Sequence, residues 1–259
     1  MDGGQVTRFG ELAKAVDTDR KVLDLYDEYV SSDRDMAKEA EVITWLLTKN
    51  GGRDRQGTWS ASSAGRCLRE QQFTYLGVDG LNPDAQAQTI FANGDYMHLR
   101  YQVAGIVGGW LTDAEVPLHL GGNVRGTADG ILAWGEVLEL KSINFRGFAE
   151  VVDMGPKSEH KWQATAYMLA TGLPITRFVY ENKNTQANME FEFALTDEWA
   201  TQVTKDWERL DVLTANQELA PMRKDCEKRE GFHFKYCPFA KICHTATFPR
   251  KRFVLDADS

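Results

Sequence analysis

The sequence predicts a mixed α/β domain with helical additions at both ends. Apolar residues recur at helical spacing through residues 9–50 and 85–108, and the spacing shifts towards alternation over residues 110–143. Helices and strands then alternate up to residue 217. The resulting order of helices, three strands, helix, two strands and helix is typical of a sheet covered by helices.

Length and composition are those of an ordinary globular protein. The chain has 259 residues, of which 42% are apolar and 26% charged, so one large domain can bury a sizeable core. No apolar stretch approaches the ~18 residues of a membrane span, and we expect no signal peptide at the N-terminus. The net charge of −8 argues against a nonspecific nucleic-acid coat protein.

The first half of the chain is predicted to be mostly helical. Helical periodicity covers residues 9–50, and the glycine-rich residues 50–57 are expected to form a loop or linker. The serines at the start of residues 60–77 are cap candidates for a second helical stretch. A longer helix is predicted over residues 85–108, with an interruption or bend near Gly94.

The second half of the chain is predicted to form the sheet and the helices that cover it. The predicted strands are residues 110–120, 124–134, 136–143, 175–184 and 189–195. The predicted helices are residues 157–172, closed by Gly172, and residues 196–217, capped by Thr196.

Three charged residues interrupt the apolar strands at the centre of this sheet. Because side chains alternate between the faces of a strand, Glu139 and Lys141 point to the same side. Asp129 converges with them if the two strands form a hairpin through residues 133–136. An exposed cross-strand salt bridge is the alternative explanation of the same residues.

Two converging carboxylates are the ligand type that a divalent cation prefers. A cation removes the repulsion between the carboxylates, and hard oxygen ligands suit Mg²⁺ or Mn²⁺. Such an ion acts as a Lewis acid on a phosphodiester and lowers the pKa of its bound water. Lys141 would orient or deprotonate that water, or neutralise the charge that develops on phosphorus.

This arrangement resembles the PD-(D/E)XK nuclease signature. Asp129 followed by Glu-Leu-Lys at 139–141, on consecutive strands, carries the likeness. His98, four residues after a glycine on the preceding helix, and the pair Gln163 and Tyr167 on the following helix resemble its RecB-like branch. The predicted α-β-β-β-α-β order is also the core of that family.

The resemblance covers roughly residues 59–195 and implies a restriction-endonuclease-like fold with a mixed central sheet. The implied catalytic residues are Asp129, Glu139, Lys141, Gln163 and Tyr167. The implied metal ligands are His98, Asp129 and Glu139. Glu115, in the first strand, is expected to lie behind the metal ligands or on the surface rather than to bind the metal.

The resemblance also suggests an organisation and a function. We expect an N-terminal helical region at 1–58, a nuclease core at 59–220, and a Cys-containing, basic segment at 221–259. The implied activity is Mg²⁺- or Mn²⁺-dependent cleavage of DNA by an exonuclease, in recombination, repair, phage DNA processing or CRISPR adaptation. Helicase, recombination or CRISPR-adaptation proteins are the implied partners, in the cytoplasm of a prokaryote or of a phage host. A noncatalytic DNA-binding or scaffold subunit of the same fold is the alternative.

The four cysteines bracket the predicted core, one before it and three after it. They are Cys67, Cys226, Cys237 and Cys243. CRISPR-associated RecB-type exonucleases carry a [4Fe–4S] cluster on cysteines in this arrangement, and four thiolates are the usual complement of such a cluster. The resemblance therefore implies a cluster that ties the first helix of the core to the C-terminal segment.

The cysteine spacing departs from the family pattern at one position. Ten residues separate Cys226 from Cys237, where the family usually has two. Zinc, with His233 or His244 as a further ligand, is the second interpretation, and simple reduced thiols are the third.

The C-terminal segment also reverses the charge of the chain. Residues 223–252 contain nine Lys or Arg and three acidic residues. This segment is either a solvated surface or a flank that contacts phosphates.

Overall fold

A mixed sheet of six strands lies between two groups of helices. The computed structural model of the protein describes residues 20–49 and 56–248. The strands are β1 (Trp59–Ser60), β2 (Leu111–Leu120), β3 (Val124–Leu132), β4 (Val137–Ile143), β5 (Ile175–Asn182) and β6 (Asn188–Ala194). Their order is β1-β3-β4-β5-β6, and β2 also pairs with β3.

Nine α-helices lie within the described residues. They are α1 (Lys21–Ser31), α2 (Met36–Lys49), α3 (Leu68–Tyr75), α4 (Ala85–Gly108), α5 (Phe145–Met154), α6 (Ser158–Thr171), α7 (Asp197–Ala215), α8 (Phe232–Tyr236) and α9 (Ala240–Cys243). None of them is long and apolar enough to cross a membrane, within the part of the chain that the structure describes.

One face of the sheet packs against the N-terminal helices. Val22 and Leu23 of α1 and Leu46 of α2 are buried in one apolar cluster with Tyr101 of α4. Alternate β4 residues, among them Leu138, enter the same cluster. The N-terminal helices therefore share a core with the sheet.

The opposite face packs against the later helices. Val137 of β4 lies in a second cluster with Met168 of α6 and Trp207 of α7. Phe178 of β5 lies in a third, under Phe148 of α5. Since Val137 and Leu138 enter opposite clusters, the predicted alternation along β4 is confirmed.

The elements predicted between residues 85 and 215 are present in the predicted order, with one additional helix, α5, between β4 and α6. The five predicted strands are present, each ending within about two residues of the prediction. Gly172 closes α6 with a φ of 72°, and the Thr196 side chain accepts from the N–H of Trp199, as the capping residues predicted.

Two local predictions were wrong, and one helix was missed. The serines of residues 60–63 do not cap an α-helix, because Trp59–Ser60 pairs with β3, Ala61–Ser63 forms only a 3₁₀ turn, and the α-helix starts at Leu68. The helix over Ala85–Gly108 continues through Gly94 without the predicted interruption. Helix α5 was not predicted. The predictions for residues 1–19, 50–55 and 249–259 lie outside the described residues.

The buried side chain of Arg177 connects β5 and β6, at the opposite end of the sheet from β1. Arg177 of β5 is fully buried and donates to the Glu136 carboxylate at 2.8 and 3.0 Å and to Glu192 at 2.9 Å. The Arg177 Nε lies 3.5 Å from Glu190, whose carboxylate accepts the N–H groups of Val22 and Leu23 at the start of α1. The Arg177 guanidinium therefore holds β5 and β6 to the N-terminal helix.

Replacing Arg177 by methionine is expected to lower the free energy of unfolding by about 3 to 5 kcal/mol, because buried carboxylates lose their cation. Glu192→Gln removes only a half-exposed partner and serves as the control, with an expected loss below about 1 kcal/mol. Urea denaturation of the two variants measures the difference. Equal stability of Arg177→Met and the unmodified chain would contradict this role.

Candidate metal and catalytic site

A fork in the sheet creates the candidate site. One edge of β3 is covered by β2 along most of its length. On the other edge, β4 pairs only with Gly130 and Ile131, and β1 pairs only with Val124 and Arg125. Residues 126–129 therefore have no strand partner on that edge among the described residues, and the gap leaves room for side chains.

Asp129 occupies the point where β3 and β4 separate. The register that pairs Gly130 with Leu138 would place Asp129 opposite Glu139, but the backbone pairing ends one residue earlier. The Asp129 Oδ2 accepts a hydrogen bond of 2.6 Å from the N–H of Leu140. The carboxylate thus replaces a backbone acceptor and is fixed in position by the neighbouring strand.

His98 contacts Asp129 from helix α4. The His98 Nδ1 lies 3.3 Å from Asp129 Oδ1. Burial lowers the pKa of His98, but the Asp129 carboxylate more than offsets this and raises that pKa to about 9. Burial likewise raises the pKa of Asp129, yet His98 and Lys141 together hold this pKa below its usual range.

Glu115 completes a group of three side chains whose ligand atoms lie close enough together to hold a metal ion. One ligand atom each from His98, Glu115 and Asp129 lies within 4.8 Å of the others. Glu115 has a φ of 51°, a left-handed conformation that is uncommon for a residue other than glycine. Gln102, one turn after His98 on α4, donates to Glu115 Oε1 at 2.8 Å and to the Asp129 carbonyl at 2.9 Å. From the sequence, Glu115 was expected to lie outside the ligand set, and no role was predicted for Gln102.

Glu139 lies next to this group on β4. Its side chain is fully buried, and among the described residues neither carboxylate oxygen accepts a hydrogen bond. The ammonium of Lys141 contacts Oε1 as an ion pair. Burial raises the pKa of Glu139 to about 7, and the nearby Asp129 charge adds to the increase. A buried carboxylate with unfilled lone pairs fits a cation as its partner.

Lys141 connects this carboxylate to helix α6. The Lys141 ammonium donates to Gln163 Oε1 at 3.0 Å, and the Gln163 amide donates to the Tyr167 hydroxyl at 2.8 Å. Burial and the charge of Glu139 raise the pKa of Tyr167. The structure therefore joins Glu139, Lys141, Gln163 and Tyr167 in one chain of contacts.

The donor set fits a hard divalent cation. Carboxylate oxygens from β2, β3 and β4 and one imidazole from α4 surround the fork. Mg²⁺ prefers oxygen ligands, and Mn²⁺ also accepts an imidazole nitrogen. His98, Glu115 and Asp129 are the residues placed closest together, and Glu139 lies beside them.

All four cysteines line one small cavity. They reach it from four short segments: Cys67 precedes α3, Cys226 ends a 3₁₀ turn, Cys237 follows α8 and Cys243 ends α9. They are not paired as disulfides. Burial raises the pKa of Cys237 to about 11, so its thiol is protonated at neutral pH without a bound metal.

Two histidines lie near the cysteines. His233 lines the same cavity, whereas the His244 ring lies 3.0 Å from the carbonyl oxygen of Cys226. The cavity thus brings together the side chains that both the iron–sulfur and the zinc interpretation name, and its lining does not distinguish the two.

The basic C-terminal segment is only partly described. Arg223 is paired with Asp225 at 3.0 Å, which reduces its availability for a phosphate. Arg250, Lys251 and Arg252 lie outside the described residues.

Comparisons with known proteins give structural likenesses only. No family model and no curated protein matches the sequence. The alkaline exonuclease LHK-Exo from Laribacter hongkongensis is 18% identical, with a TM-score of 0.46, covering 62% of this chain and 92% of that one. The structure of the same enzyme in complex with dAMP is also 18% identical, with a TM-score of 0.48, and covers 62% of this chain and 92% of that one. SSO0001 is 22% identical, with a TM-score of 0.47, covering 80% and 94%.

Binding of Mn²⁺ to the metal-free protein is expected to strengthen as pH rises. At neutral pH the cation must displace the proton that His98 holds with a pKa of about 9. The apparent affinity should therefore increase by up to about tenfold per pH unit and level off above that pKa. Calorimetric titration between pH 7 and 10 measures this slope.

His98→Gln provides the control for this titration, because glutamine has no proton to release in that range. The variant should bind Mn²⁺ more weakly and with a flatter pH dependence. An affinity of the unmodified chain that does not change between pH 7 and 9 would contradict His98 as a ligand.

Proposed function

We propose that this chain is a metal-dependent DNA nuclease of the PD-(D/E)XK superfamily, and within it an exonuclease of the RecB-like branch. The observation that carries the proposal is the convergence of Asp129, Glu139 and Lys141 at the fork of the sheet. The exonuclease assignment rests on the sequence resemblance, since RecB-like nucleases that combine the histidine with the four cysteines are typically exonucleases.

The proposed metal site consists of residues that bind the cation and residues that position those ligands. His98, Asp129 and Glu115 or Glu139 would hold Mg²⁺ or Mn²⁺, which when bound polarises the phosphodiester and lowers the pKa of water. Gln102 positions the Glu115 carboxylate, and the N–H of Leu140 positions that of Asp129. Both carboxylates are thus held before a substrate arrives, which avoids reorganisation during the reaction.

Lys141 is the group best placed to act on the attacking water. Its ammonium is held between Glu139 and Gln163, so it has a fixed position next to the carboxylates. From there it orients the water or stabilises the negative charge that develops on the phosphate oxygens. Tyr167 acts through Gln163 and positions Lys141.

The cysteines support a second part of the proposal, a [4Fe–4S] cluster on Cys67, Cys226, Cys237 and Cys243. The four thiols line one cavity, and four thiolates are the complement of such a cluster. A cluster there would close a chain segment of more than 150 residues and act as a structural staple. Zinc is the competing occupant.

Four biological settings fit the proposed activity. DNA recombination, repair, phage DNA processing and CRISPR adaptation all require such a nuclease, in the cytoplasm of a prokaryote or of a phage host. Helicase, recombination and CRISPR-adaptation proteins are the partners that these settings supply.

Asp129→Asn and Lys141→Met should each abolish Mn²⁺-dependent digestion of labelled single- and double-stranded DNA. The two variants should differ in their affinity for Mn²⁺. Asp129→Asn loses a ligand, so it should bind Mn²⁺ more weakly. Lys141→Met removes a nearby positive charge, so it should bind Mn²⁺ as tightly as the unmodified chain or more tightly. Calorimetry with Mn²⁺ distinguishes the two effects. Glu159→Gln changes a carboxylate on the exposed surface of α6 and is the control.

Two outcomes would contradict the proposed activity. Full digestion by Asp129→Asn would remove the fork of the sheet as the site. A chain that binds DNA and never cleaves it with Mg²⁺ or Mn²⁺ would be a noncatalytic DNA-binding subunit.

Protein purified without oxygen should be brown and contain close to four iron atoms per chain, as one [4Fe–4S] cluster demands. Cys67→Ser should lose iron and make helix α3 and the segment after α7 sensitive to protease together. A colourless protein with one zinc per chain would favour the zinc interpretation. A metal-free protein of unchanged stability in Cys67→Ser would show that the cysteines are simple thiols.

A further inference from the structure

The first three turns of helix α4 carry two exposed aromatic rings. Residues 85–96 are exposed or half-buried, whereas Met97 and Tyr101, which follow on the same helix, are buried. Within the exposed turns Phe91 is 60% exposed and Tyr96 is 66% exposed. Single exposed rings are common on protein surfaces, so the position of each ring decides whether it has a function.

Phe91 lies on the same side of α4 as the candidate metal ligand His98. Seven residues separate the two, so their side chains leave the helix within about 20° of one direction and about 10.5 Å apart along its axis. Tyr96 leaves the helix about 140° away from Phe91 by the same geometry. The helix therefore places Phe91, and not Tyr96, on the side that carries the ligand of the candidate metal site.

Gly94 leaves a gap between Phe91 and His98 on that side. It lies three residues after Phe91 and four before His98. Gly94 has the helical conformation, and a Cβ atom there would meet no described atom within 4 Å. Because glycine is a poor helix former, neither the helix nor the packing of the described chain accounts for it. A ligand that approaches the backbone closely is a reason for glycine at such a position.

The charges of this surface favour a nucleobase over a phosphate. Asp95 is exposed and lies on the same side of the helix, four residues after Phe91. Its carboxylate repels a phosphate, and residues 85–97 contain no Lys or Arg that would attract one. An aromatic ring, in contrast, is a stacking platform for any base, because every base has a π face.

We propose that Phe91 stacks on one base of a single DNA strand, beside the nucleotide whose phosphate is cleaved, and that Gly94 makes room for the stacked nucleotide. The inference rests on the proposed nuclease function and specifies its substrate as a strand with unpaired bases. Inside a duplex the neighbouring bases cover both faces of each base, so Phe91 would have no face to contact. Stacking also needs no positive charge, which suits a chain with a net charge of −8.

Binding of a fluorescent single-stranded oligonucleotide to the full chain, with Ca²⁺ in place of Mg²⁺, tests the ring. Phe91→Ala should weaken binding about tenfold, the effect of losing one stacked base, without changing the slope of log affinity against log salt. Phe91→Trp should keep the affinity, and Phe91→Leu should lose it, because leucine keeps apolar bulk without a ring. Unchanged affinity in Phe91→Ala would overturn the proposal.

Tyr96→Ala is the matched control, because it removes a ring of similar exposure from the other side of the same helix. This variant should bind the oligonucleotide like the unmodified chain, and an equal loss in both alanine variants would overturn the site. Urea denaturation of Phe91→Ala should show unchanged stability. A large loss of stability would mean that the ring packs against the chain itself, and would also overturn the proposal.

Gly94→Gln should change stability and binding in opposite directions. Glutamine is a better helix former than glycine and meets no described atom there, so the urea midpoint should rise. The longer side chain fills the gap beside Phe91, so oligonucleotide affinity should fall severalfold. Unchanged affinity in this variant would show that no strand approaches the helix at Gly94.

An oligonucleotide with one abasic nucleotide locates the stacked base. Moving this nucleotide along the strand should reveal one position, adjacent to the scissile phosphate, where the unmodified chain loses affinity and Phe91→Ala loses none. The same penalties in both proteins at every position would overturn the stacking. Digestion of DNA by the unmodified chain tests the nuclease proposal separately: binding that depends on Phe91 without any cleavage would contradict the activity alone.

Discussion

The short pairing between β3 and β4 is the constraint on which the candidate site depends. These strands share only two paired positions, Gly130 with Leu138 and Ile131 with Val137. Beyond them the backbone of β4 is bonded by the Asp129 carboxylate instead of a carbonyl group. A longer ladder would have filled the fork with backbone hydrogen bonds and left no space for a cation. Backbone hydrogen bonds between β3 and β4 are therefore missing at the place where the three charged side chains converge.

The elements around the fork hold groups that are unfavourable in a metal-free core. Glu115 adopts a left-handed backbone conformation, and the buried Glu139 has only Lys141 as an ionic partner in the described chain. Such features persist when the surrounding structure imposes them, and they concentrate at functional sites. Here Gln102, packed in α4, fixes the Glu115 carboxylate. Helix α6 does the same for Lys141 through Gln163.

The sequence correctly predicted the site residues that are spaced at the period of a strand or of a helix. Alternation along β4 placed Glu139 beside Lys141, and the four-residue spacing of Gln163 and Tyr167 placed both on one face of α6. The strand and helix order followed from the same periods. The proposed family and activity rest on the sequence resemblance, since no periodicity reveals a reaction.

The features that were missed depend on contacts distant in sequence or on backbone conformations that residue type does not indicate. The two-residue strand at Trp59–Ser60 exists only through its pairing with β3, more than 60 residues away. Glu115 joins the metal group through a left-handed φ that glutamate seldom adopts. The role of Gln102 depends on the packing of α4 against β3, which brings its amide to the Asp129 carbonyl and which its helical position alone does not indicate.

In the proposed site the charges within the sheet are ligands of a divalent cation. Pulsed electron paramagnetic resonance of one equivalent of Mn²⁺ bound to the full chain detects such ligands. We expect coupling of the Mn²⁺ spin to one imidazole nitrogen, absent in His98→Gln, together with fewer bound waters than the free ion has. A spectrum of fully hydrated Mn²⁺, or nitrogen coupling that persists in His98→Gln, would contradict it.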